Sequence, residues 1–181
     1  NYVMSGGKNV SCQSCSSLGD QRGIVVRDSI DLQLISTTVT ESINEPAVEI
    51  NNSGNLFAGT VIIDDMAVSS QSSNFSVLLE NVDAEISGLD ISGDGGGMFW
   101  SAKGATTSYF SNSVIWDSDS HCLDLVSHTE LIADGVSLMC DDSQPFLDQS
   151  IANFTDSSLV QGAEASNSFM LNSSSHLRWI S

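Results

Sequence analysis

Two aspartate pairs carry the most explicit chemistry in the chain: Asp64–Asp65 in VIIDD and Asp141–Asp142 in VSLMCDDS. Adjacent carboxylates act as acid and base when their pKa values are driven apart, and they also ligate hard cations. Asp64, Asp65, Asp141 and Asp142 are therefore the candidates for catalysis. Asp94, Asp117 and Asp119 also follow short apolar runs, as Glu41 follows Val39. A stacked repeat would gather these acids at one corner. Such a column repels itself unless cations or water screen it. Ca²⁺, with six to eight oxygen ligands, is the cofactor that fits Asp64, Asp65, Asp94, Asp117, Asp119, Asp141 and Asp142. Aspartate also ends strands by closing turns, and that accounts for the series without a metal.

The other reactive residues form no recognised constellation. His121 and His128 flank Leu123 with Asp124 between them; exposed turn positions are expected for both rather than a metal site. Serine is so common that every histidine has one nearby, and no G-x-S-x-G elbow is present. The Gly-rich run SGDGGG (92–97) has no phosphate-loop lysine after it.

The elements that must position these residues are short. The chain has 181 residues, 40% of them hydrophobic, with only two prolines. That suffices for one domain with a core. Gly, Asn, Asp and Ser interrupt Val/Ile/Leu runs every few residues, as expected of short strands joined by turns. Against 23 acidic residues stand five basic ones, for a net charge of −18. That charge argues against nucleic acid and anionic membrane surfaces as partners. No run approaches 18 apolar residues, so no membrane-inserted helix is expected. The chain opens NYVMSGG without an initiator Met, which suggests a mature or excised fragment. Five N-glycosylation sequons begin at Asn9, Asn51, Asn74, Asn153 and Asn172.

A repeat organises the whole. Apolar runs begin at Ile24, Ala47, Val77, Phe99, Leu123, Phe146 and Phe169, with gaps of 23, 30, 22, 24, 23 and 23. A second run recurs near Leu32, Leu56, Ile86, Phe110, Ile132, Phe154 and Leu177. A third recurs about 13 residues into each unit, at Val39, Val61–Ile63, Leu89–Ile91, Val114–Trp116, Val136–Leu138 and Leu159. The long gap is assigned to a loop at 69–74. Three strands in a unit of about 23 residues predict an all-β fold, a right-handed parallel β-helix of seven to eight coils. A sandwich has similar turn spacing but would not keep three strand positions in phase over seven units.

This periodicity resembles the right-handed parallel β-helix (pectin-lyase-like) superfamily, closest in character to adhesin and autotransporter-passenger domains. The resemblance spans residues 23–181 in one domain, with residues 1–22 as a further coil or cap. It implies fold more than activity. Polygalacturonase-like members use clustered aspartates, one from a D-D pair, with N-T-D, G-H-G and R-I-K elements; only the D-D pairs occur here. Lyases need an Arg or Lys base, and only Lys103 and Arg178 lie beside expected grooves.

In a closed coil, Cys122 at its start and Cys140 at its end approach each other, so a Cys122–Cys140 disulfide is expected, with Cys12–Cys15 as the second. Cys140 as a plain buried residue is the alternative. Disulfides fit an extracellular or cell-surface location. Phe99 and Phe110 are placed in the core, and Trp100 and Tyr109 outward as a carbohydrate-binding face. The expectation is a secreted or surface β-helix without catalysis, acting in adhesion or as a fibre-forming subunit, joined end to end or to flanking domains. The alternative is a polysaccharide lyase or glycoside hydrolase.

Overall fold

The computed structural model describes all residues except 1, 20–21, 44, 55–58, 72–74, 94, 105, 118–121, 142, 162–168 and 181, and the side chains of 41–43 and 117. Its described elements are all strands. The first segments of successive coils are Tyr2–Ser5, Ile24–Arg27, Val48–Asn51, Phe75–Glu80, Gly96–Ser101, Leu123–Val126, Phe146–Asp148 and Met170–Asn172. They pair in that order into one parallel sheet. The second and third segments form another parallel sheet that bends at a corner. Three strands run through that corner: Leu32–Ile43, Thr60–Gln71 and Asp83–Ser92. Elsewhere the corner divides them, as in Leu131–Asp134 and Ser137–Cys140. The result is a parallel β-helix of about seven turns. Residues 2–18 already form a coil, since Tyr2 pairs with Ile24, Cys12 with Leu34 and Ser17 with Val39.

Pairing every 21 to 29 residues stacks like on like. Val26, Ile50, Leu79, Trp100, Leu125 and Leu147 make one inward column. Leu34, Ile63, Ile86, Phe110, Ala133 and Phe154 make a second. Val39, Val68, Ile91, Ile115 and Leu138 make a third. All are buried and belong to one core.

The structure corrects the expected side-chain parity. Val48, Met98 and Leu123 stack, so Met98 and Trp100 point inward while Phe99 and Phe146 turn outward. In Met98-Phe99-Trp100 both faces are apolar, so alternation cannot set the register and pairing with Leu123 and Leu125 does. The long repeat is corrected too. Val61–Ile63 pairs with Leu32–Leu34, so it is a second segment, and the additional residues fall between Asn51 and Thr60. Ser69–Gln71 is strand, not loop; Leu56 lies outside the described residues.

The corner between second and third segments is one residue wide. Ser14, Ser36, Asp65, Gly88, Asn112, Gly135 and Asp156 occupy it in successive coils, all with φ between 46° and 64°. Such backbone suits Gly, Asn and Asp. It also breaks the ladder, and the next residue repairs it. The Leu89 N–H donates to Ser113 Oγ (3.0 Å) and the Val136 N–H to Ser157 Oγ (3.0 Å). Serine abundance thus has a structural use at the turns.

Both expected disulfides form, and no described cysteine is free. Cys122 precedes the first segment of its coil and Cys140 ends the third, with Cα atoms 5.4 Å apart and both residues buried. Cys12–Cys15 clips the first coil's corner across Ser14. Closing an 18-residue separation stabilises by about 3 kcal/mol on chain-entropy grounds. The double variant Cys122→Ser/Cys140→Ser should lose about that much in denaturant unfolding. A loss below about 1 kcal/mol would show that the coil is held closed by packing alone.

Candidate functional site

Of the described acids, Asp64 and Asp65 do not share a corner with Asp141. Asp64 and Asp65 sit at the corner between second and third segments, where Asp64 pairs with Ile35 and Ser87. Asp141 follows the third segment, one residue beyond Cys140, on a different corner. The cause is the register shift in the long repeat: Val61–Ile63 belongs to the second segment, so its trailing acids do too. Asp65 is engaged locally, accepting a bond from Ser36 Oγ at 3.0 Å. Asp94, Asp119, Asp142 and the Asp117 side chain lie outside the described residues, and so does the side chain of Glu41. Among the described residues no three His, Cys, Asp or Glu side chains converge as metal ligands.

The aromatic pair separates. Trp100 is fully buried; its indole N–H donates to the Val82 carbonyl at 2.7 Å and its ring meets Phe110 edge-on. It is a core residue, which corrects the outward placement. Tyr109 is 45% exposed. It lines a groove of about 340 Å³ with Thr60, Glu85, Thr106 and Thr107 on the outer face of the second segments. Phe99, half-buried, packs outward against Phe75.

His128 is not the exposed turn residue expected from sequence. It is buried, with its ring edge-on to Trp100 at 4.7 Å between centroids. Nε2 lies 3.0 Å from the Trp100 carbonyl. A carbonyl only accepts, so Nε2 carries the proton and Nδ1 presents a lone pair. Nδ1 is buried without a hydrogen-bond partner among the described residues. Burial lowers the pKa from 6.5 to about 4, against smaller opposing effects of the Trp100 carbonyl and the Asp83 carboxylate. The position has a structural logic. Ser150 Oγ reaches the Leu125 carbonyl at 3.3 Å and Ser175 Oγ the Leu147 carbonyl at 3.1 Å. Trp100, Leu125 and Leu147 are stacked equivalents. His128 therefore fills, one coil before Ser150 and two before Ser175, the slot that those serines fill. Aligning SHT (127–129) with QSI (149–151) would have revealed it. His121 lies outside the described residues.

The sequons differ in accessibility. Asn9 is exposed at a left-handed turn, and Asn172 is exposed on the last first-segment strand. Asn153 is half-buried and Asn51 donates to Glu80. Asn74 lies outside the described residues.

The two edges of the helix carry the largest apolar exposure. Tyr2 and Val3 in the first strand, and Leu18, are 39%, 72% and 71% exposed. At the other edge Val160, Met170, Leu171 and Ile180 are 43–58% exposed. Phe154, Phe169 and Trp179 form an aromatic layer there, with Phe154 stacked on Trp179 at 4.9 Å. Among the described residues the Tyr2–Ser5 and Met170–Asn172 strands each pair on one side. Comparison of the chain with family models, with curated proteins and with solved structures finds no match.

Proposed function

We propose that this chain is a non-catalytic β-helix of a secreted or cell-surface protein, working in adhesion or as a structural, fibre-forming subunit. The supporting observation is the pair of apolar, one-side-paired edges. A strand edge with free N–H and C=O groups and apolar side chains is a template for a further strand. The two edges are also complementary. Each internal coil meets its neighbour in parallel register, and the outermost coils offer the two halves of that contact. The occupant is another β-coil, from a second copy or from a flanking domain of the same protein. The two disulfides support an extracellular setting.

Register makes the reading testable. Continuing the inward column places Leu171 against Met4 of the next copy, and Met170 beside Val3. A Val3→Cys/Met170→Cys variant should give a ladder of disulfide-linked oligomers under mild oxidation. Only monomer at concentrations of about 100 μM would count against end-to-end joining.

A carbohydrate-active surface is the second reading, supported by the exposed Tyr109 over Glu85 in its groove. Oligosaccharide binding that is lost in Tyr109→Ala would favour it.

A further inference from the structure

We infer that the outer face of the third segments is a lateral docking surface for a second copy of this chain. The inference does not depend on end-to-end joining, since it concerns a different face.

In a chain of net charge −18 this face is nearly uncharged. Among the described residues that point outward from Ser16–Leu18, Ser137–Cys140, Ser158–Gln161 and the equivalent segments between them, only Asp90 carries charge. The face of the second segments, by contrast, carries Asp64, Glu85, Asp134 and Arg178. The first-segment face carries Arg27, Glu49, Glu80, Asp124 and Asp148. Two copies this acidic repel each other in most orientations. The third-segment face is where that repulsion is least.

Its composition is graded as well. The paired outward positions are Leu18–Thr40 and Ser69–Ser92 in the early coils, then Trp116, Met139 and Val160. Trp116 is 52% and Val160 58% exposed. An exposed Trp flanked by apolar neighbours in a charge-poor surface is the composition of an interface centre. Seven coils at about 4.8 Å, each with about 13 Å of strand, give a flat face of about 450 Å² per copy. That is at the small end for specific pairs, so a weak dimer is expected. A two-fold arrangement uses the same patch on both copies and closes at two. Acids border the face at the corners, Asp65 and Asp156 on one side and Asp141 on the other. Salt should therefore strengthen the pairing by screening them.

Sedimentation velocity from about 10 μM to 1 mM, in low salt and in 0.5 M NaCl, tests this. The expected result is a pairing step that tightens with salt, separate from any end-to-end growth. Trp116→Glu should weaken it at least tenfold while leaving the circular dichroism spectrum and melting midpoint unchanged. A monomer at 1 mM in 0.5 M NaCl overturns the inference. So does a dimer indifferent to both Trp116→Glu and Val160→Glu.

Discussion

Trp100→Ala should cost about 5 kcal/mol of folding stability, the upper range for truncating a buried aromatic. The ring is fully buried between Leu79 and Leu125 in its column, edge-on to both Phe110 and His128. Stacked coils cannot close over the void, because their spacing is fixed by the backbone ladders. Removing the indole also orphans the Val82 carbonyl, which accepts its N–H at 2.7 Å. Trp100→Phe keeps most of the packing and loses the donor, so about 1–2 kcal/mol is expected. Chemical denaturation followed by circular dichroism measures both. A Trp100→Ala loss within about 1 kcal/mol of wild type would mean that the ring sits at the surface after all.

Acid should weaken the fold through His128. The folded chain keeps this imidazole neutral down to about pH 4, whereas the unfolded chain protonates it near 6.5. Between those values unfolding takes up a proton, so stability falls as pH falls. The contribution is intact above about 6.5, declines as pH falls, and levels off below about 4 with a total loss of about 3 kcal/mol. The physical reason is that Nε2 is committed to the Trp100 carbonyl and a proton on Nδ1 would have no partner. Glutamine reaches as far as Nε2 and does not titrate. In His128→Gln the pH dependence between 6.5 and 4 should be flatter than wild type by about that amount. Parallel curves for the two proteins would place His128 in water.

The fold was legible because its period is long-range and repeated. Seven in-phase apolar runs outweigh ambiguity in any one of them. Cys122 and Cys140 were readable as a pair for the same reason, since a closed coil leaves its first and last residues adjacent. Parity was not readable where both strand faces are apolar. Met98-Phe99-Trp100 gives alternation nothing to work on, so Trp100 was assigned to a sugar-binding surface when it belongs to the core. Register separates the described acids: the additional residues between Asn51 and Thr60 set Asp64 and Asp65 on a different corner from Asp141. His128 is legible only by aligning the repeats, which sets it against Ser150; its residue type alone points to an exposed turn.

The turn chemistry, the core columns and the edges describe a coil that is specified by its neighbours. Among the described strands each interior coil is paired on both sides, and the first and last coils are paired on one. On the proposed reading, the edges and the charge-poor third-segment face meet other β-coils. Negative-stain electron microscopy of the wild-type chain at rising concentration tests that most directly. The account predicts rods whose lengths are multiples of about 35 Å, the rise of seven coils. Single particles of one length at every concentration, with no lateral pairs, would contradict it.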